Sequence, residues 1–97
     1  MTVTGRALVV DDSSVNRLVL MRRLQTLGLE VMQAENGIQA LELLGAEPGM
    51  VDVVLLDVLM PELDGYETLA AMKADESTRH IPVLIVSGIE ELDSVVR

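Results

Sequence analysis

Four oxygen-bearing side chains close the apolar runs of this sequence. Asp11 and Asp12 follow Ala7-Leu8-Val9-Val10, Asp57 follows Val51 to Leu56, and Ser87 follows Ile81 to Val86. Three carboxylates brought together repel one another unless one takes up a proton or a cation joins them. A hard divalent ion such as Mg2+ suits that set, because it takes a few carboxylates with carbonyls and waters in octahedral geometry. A carboxylate beside such an ion can attack phosphorus while the metal offsets charge on the transferring oxygens. Each residue alone has a plainer use. Asp11-Asp12 before Ser13-Ser14 suits a helix cap, and Ser87 with Glu90 makes an S-x-x-E capping pattern. Asp57 is harder to dismiss, since it ends an apolar strand and is followed by the breakers Pro61 and Gly65. Placement on three strand ends at once is what argues for chemistry.

The elements that must position these residues alternate in kind. Ala7 to Val10 reads as a strand buried on both faces. Apolar residues at 15, 18, 20, 21, 24 and 27 predict a helix over Val15–Leu27 with one wide apolar face, capped by Ser13 or Ser14 and stopped by Gly28. Leu29 to Gln33 reads as a second strand. Asn36 with Gln39 forms a capping box for a helix from Gly37 to about Gly45, with Ile38, Leu41 and Leu44 inward. Pro48-Gly49 ends it. Val51 to Leu56 is the third strand, Val58 to Leu63 a loop, and Asp64 to Ala74 a helix whose first turn Asp64 and Glu67 can cap. Ile81 to Val86 is a fourth buried strand, and Ile89 to Arg97 opens a fourth helix. Strand–helix alternation with buried strands predicts an α/β fold, a doubly wound parallel sheet. Right-handed crossovers then set the first and third strands side by side in the common order 2-1-3-4-5, with chemistry outside the carboxyl ends.

Composition narrows the classes further. Ninety-seven residues suit one domain, 1–97, and 49% apolar content supports a core. The sequence has no Cys and one His, which excludes disulfides, thiolate chemistry and multi-histidine metal sites. Sixteen acids against seven bases give a net charge of −9, unsuited to direct nucleic-acid contact. No apolar run reaches the roughly 18 residues of a membrane span, and no signal peptide opens the chain, so a cytoplasmic location is expected. The six Met residues read as core filler and His80 as a loop residue.

The stretches Leu8-Val9-Val10-Asp11-Asp12, Asp57-Val58-Leu59-Met60-Pro61-Glu62-Leu63-Asp64-Gly65 and Ile81-Pro82-Val83-Leu84-Ile85-Val86-Ser87-Gly88, with Asn16-Arg17, carry a resemblance. The chain resembles a receiver domain of two-component response regulators over essentially its whole length. The resemblance implies a flavodoxin-like fold and a phosphoacceptor that is not an enzyme beyond assisting its own phosphorylation and slow dephosphorylation. It implies that Asp57 takes a phosphoryl group from a phosphohistidine. Asp12, Asp57 and the backbone carbonyl of Leu59 would hold Mg2+, with Asp11 acting through metal-bound water. Ser87 would donate to a phosphoryl oxygen and act as the switch, and Pro61 and Gly65 would shape the adjacent loop. The implied partners are a sensor histidine kinase or phosphotransfer protein, and a C-terminal output domain or separate effector. Pairing into a homodimer is compatible with the family.

The sequence also departs from the family pattern. Receivers carry a fifth strand and helix, with a phosphate-binding Lys at the end of that strand, and neither is present here. The only Lys, Lys73, falls on the third helix away from the strand ends, and the only aromatic, Tyr66, opens that helix. Either the protein continues past Arg97 or this is a truncated piece. The first is expected, because a four-stranded remnant would leave Ile81 to Val86 as an open apolar edge. Two other functions stand beside the receiver reading. One is a non-phosphorylated dimerisation or docking module, for which the missing Lys counts. The other is a Mg2+-dependent aspartyl phosphatase, against which Leu59 counts, since it sits where a general acid would be needed.

Overall fold

β-Branched and leucine-rich runs form four strands, and the segments between them form three helices, in the computed structural model, which describes residues 5–46, 49–57 and 65–86. The elements in chain order are β1 (Arg6–Val10), α1 (Ser14–Thr26), β2 (Glu30–Ala34), α2 (Gly37–Ala46), β3 (Val53–Asp57), α3 (Gly65–Ala74) and β4 (Val83–Val86). All strand pairs are parallel, and the sheet order is β2-β1-β3-β4, as expected from right-handed crossovers. In register, Arg6 to Val10 run beside Glu30 to Ala34, while Ala7 to Val10 run beside Val53 to Leu56. The expected fourth helix, 89–97, lies outside the described residues.

Alternation along the strands sorts the core into two layers. Leu8, Val10, Val54 and Leu56 face one side, where Ala40 and Leu44 of α2 and Met72 of α3 close over them. Ala7, Val9 and Leu55 face the other side and meet Leu20 of α1, with Leu24 half-buried beside it. The strands are thus covered on both faces, which is why they read as unbroken apolar runs.

Three expectations about which residues point inward are corrected. On α1 only Leu20 is buried, whereas Val15, Leu18 and Leu27 are exposed. At about 100° per residue, Leu20 and Leu24 share a stripe, while Val15 and Leu18 fall well around the helix from it. Leu27 lies beyond the last turn, at the C-cap. On α2 the inward stripe is Gly37, Ala40 and Leu44, and Ile38 is 46% exposed. Small residues let the helix approach the sheet, so bulk alone misjudged the face. On β4, expected to be buried, Leu84 and Ile85 are exposed; among the described residues this strand stands at the end of the sheet order. Ile81 is buried but precedes the strand.

Local chemistry places the element ends. Ser13 caps α1, its Oγ accepting from the Asn16 amide at 3.3 Å. At the other end, the Gly28 amide donates to the Gln25 carbonyl and the Leu29 amide to the Leu24 carbonyl. These paired bonds form a Schellman motif, and Gly28 at φ 91° supplies the left-handed residue it requires. For α2, Asn36 Oδ1 accepts from the Gln39 amide at 2.8 Å, while Gln39 Oε1 accepts from Glu35, one residue earlier than a standard box. Between α3 and β4, Thr78 Oγ1 donates to the Met72 carbonyl at 2.7 Å, and Lys73 Nζ donates to the carbonyls of Arg79 and Ile81. Lys73 therefore fastens this connection and is remote from the strand ends that carry the acids. Asp75 Oδ1 accepts from the backbone amide and hydroxyl of Ser77, which holds its carboxyl below the usual value.

Two measurements check this packing. Met72→Ala should lower unfolding stability by about 2–5 kcal/mol, by transfer and cavity terms together. Ile38→Ala, on the exposed side of α2, should stay within roughly 0.5 kcal/mol; urea melts read both. The turn at Asp75 gives a pH signature with a definite sign. Its folded value is depressed, so its contribution is present above the unfolded carboxylate value and is lost as pH falls through the lowered folded one. The stability difference between the wild type and Asp75→Ala should accordingly persist at neutral pH and shrink in acid.

Candidate functional site

The neighbouring placement of β1 and β3 builds the site. Val10 pairs with Leu56, so the residues that follow each of them, Asp11 and Asp57, emerge side by side at the carboxyl edge of the sheet. Asp57 is itself the last residue of β3 and pairs with Val86 of β4. Carboxylate oxygens of Asp11, Asp12 and Asp57 lie within 4.8 Å of one another. Asp11 is 1% exposed, Asp57 is 7% exposed, and Asp12 faces solvent. The three acids singled out by strand-end position do converge.

The backbone around Asp11 is tightly held. Its amide donates to the Ala34 carbonyl at 3.1 Å, extending the β1–β2 ladder by one rung. Its Oδ1 accepts from the Ser13 amide at 2.8 Å, tying the carboxylate to the entry of α1. Its carbonyl accepts from Arg17 Nη1 at 2.6 Å. One sequence element therefore serves two ends. The Asp-Asp-Ser-Ser run both caps the helix and presents acids at its start, where the helix dipole favours negative charge.

A set of hard oxygen donors two-thirds buried and mutually close fits a hard divalent cation and does not fit a soft one. The cluster could bind such a metal ion, and Asp12 is its exposed member. Of the other residues to which site roles were assigned, Ser87, Leu59 and Pro61 lie outside the described residues, as does Asp64. Gly65 is buried at the start of α3. Arg17 carried no assigned role in the sequence reading, although it contacts the Asp11 backbone directly. Its signal was faint: an arginine one turn into the helix that begins at the acids.

At the opposite end of the strands a cleft of about 390 Å³ is lined by Gly5, Arg6, Gly28, Glu30, Met50 and Asp52. There Arg6 is paired with Glu30 and its amide with Asp52, so these charges are engaged with one another. Among the described residues no helix is long and apolar enough to cross a membrane.

Fold and site together define a class. The chain matches the model of the response regulator receiver domain over residues 7–97 and belongs to that family. A two-component response regulator of Oryza sativa subsp. japonica, ORR5, is 44% identical over 81 residues, covering 84% of this chain and 60% of that protein. Response regulator PleD of Caulobacter vibrioides is 38% identical over 88 residues, covering 91% of this chain and 19% of that protein. The chain thus spans at most about three-fifths of these relatives. Among solved structures, the N-terminal domain of a response regulator receiver protein from Methanoculleus marisnigri JR1 aligns with a TM-score of 0.79 at 38% identity, over 94% of this chain and 76% of that one. The architecture is the flavodoxin-like α/β fold, and the family is a signalling domain of two-component systems and not a conventional enzyme.

The cluster makes a direct prediction about ions. Adding Mg2+ at about 100 times its dissociation constant should stabilise the wild type by roughly 2.7 kcal/mol. Asp57→Asn should abolish that gain. In chelator, Asp12→Asn should raise the melting temperature, since it removes one of three like charges. A wild-type midpoint that ignores Mg2+ would count against a metal centre.

Proposed function

We propose that the chain accepts a phosphoryl group on Asp57 from the phosphohistidine of a sensor histidine kinase or phosphotransfer protein, and that Asp11, Asp12, Asp57 and the Leu59 carbonyl hold Mg2+. The observation that carries the reading is the convergence of three carboxylates on one sheet edge, with Asp57 at the end of a buried strand. Bound Mg2+ would offset negative charge on the oxygens being transferred.

The residues of the chain do the rest. An Asp57 carboxylate oxygen attacks phosphorus, the P–N bond to the donor imidazole breaks, and that imidazole departs with the bonding electron pair. β3 is paired on both sides up to Leu56, and Asp57 at its end pairs with Val86 of β4, which limits the orientations it can adopt. The start of α1 at Ser14 turns its positive pole toward the same strand ends, where it favours an added anion.

Phosphorylation replaces a carboxylate with a larger group bearing three acceptor oxygens and more charge. Ser87, which follows β4, donates its hydroxyl to that group. The resulting shift biases the surface read by an output domain or partner protein. The module works in the cytoplasm, where a kinase phosphohistidine is reached without crossing a membrane.

Incubation with acetyl phosphate and Mg2+ followed by intact mass spectrometry tests the proposal. One phosphoryl adduct is expected on the wild type, and none without the metal or in Asp57→Asn. An adduct that survives Asp57→Asn would assign the acceptor elsewhere.

A further inference from the structure

We propose that Arg17 is a positioning residue for the metal centre, acting through the backbone of Asp11; the inference rests on the reading of Asp11, Asp12 and Asp57 as that centre. Arg17 is half-buried, and its guanidinium spans two elements. Nη1 donates to the Asp11 carbonyl at 2.6 Å on the β1 side, and Nε donates to Gln33 Oε1 at 3.2 Å on β2. Gln33 is held in turn, its Nε2 donating to Met21 Sδ at 3.3 Å on α1. The guanidinium thus straps the start of α1 to the ends of two strands.

What the strap controls follows from peptide geometry. A trans peptide is planar, so the direction of the Asp11 carbonyl sets the plane of the Asp11–Asp12 bond and the point from which Asp12 departs. Asp11 itself is pinned by its amide to Ala34 and by its carboxylate to Ser13. Asp12 is exposed, and its position in the cluster depends on the peptide that precedes it. A short bond from a charged donor is a strong orienting contact. Lysine cannot reproduce it, because a single ammonium lacks the fork that reaches Asp11 and Gln33 together.

A guanidinium near a cation site also exerts a charge effect of opposite sign, which makes the role decidable. If Arg17 acted only as a positive charge, removing it would tighten Mg2+ binding, and keeping the charge as Lys would leave it unchanged. If it positions Asp11 and Asp12, both changes weaken binding, by about tenfold or more, as for other groups that orient metal ligands.

The test is calorimetric titration of the 97-residue chain with Mg2+ alone, for the wild type, Arg17→Gln and Arg17→Lys, with melting temperatures in chelator alongside. Weaker binding in both variants at little-changed chelator midpoints is the expected result. Tighter binding in Arg17→Gln, or unchanged affinity in both, overturns the positioning role. Loss of stability without loss of affinity in the folded protein also overturns it, since that is what a merely structural contact would give. A wild type that takes up no Mg2+ overturns the reading of the site itself. Hydrogen exchange at the Ser13 amide, measured without metal, then decides the strap on its own: faster exchange in Arg17→Lys supports it, and equal exchange overturns it.

Discussion

The register between β1 and β3 is the constraint on which the site depends. With Val10 opposite Leu56, the residues at the two strand ends are forced together, and both are acids. Such an arrangement is electrostatically unfavourable by itself, because like charges close together at a largely buried edge repel. It persists because the backbone bearing it cannot relax. Asp57 pairs with Val86 at the end of a strand whose preceding residues are laddered on both sides, and Asp11 is bonded through its amide, its carbonyl and its carboxylate. The fold holds the acids in a cluster, and a cation bound there would gain from the repulsion it relieves.

The two faces of the sheet divide the labour. One is covered by α2 and α3 and holds the larger cluster, with Leu8, Leu56 and Met72 fully buried. The other is covered by α1 and holds, among the described residues, a smaller one, centred on Val9, Leu20 and Leu55. The helix on this side is the one whose start borders the acids and whose Arg17 reaches the Asp11 backbone.

Much of this was legible in the residues. Strands buried on both faces appear as unbroken apolar runs, so β1 and β3 could be found without knowing their neighbours. Ser13 and Gly28 marked the ends of α1 by backbone chemistry that is local to a few residues. The acids were visible because they end those runs. Helix faces were less legible. Val15, Leu18 and Ile38 are apolar, yet they face outward, since a helix buries the stripe its packing selects and small residues such as Gly37 and Ala40 can hold that stripe.

The sequence by itself determined the element types, their order and the identity of the acids, because hydrophobic period, capping and strand-end position act over short stretches of chain. Tertiary structure decided which strand ends meet, since no local pattern records that residues 11 and 57 share an edge until crossovers and register are set. It also decided which contacts hold Asp11. The bond from Arg17 to a backbone carbonyl six residues earlier, braced against Gln33 on another strand, exists only once α1 has packed across β1 and β2. Side-chain identity specifies what a group can do, and the packing of elements distant in sequence specifies what it can reach.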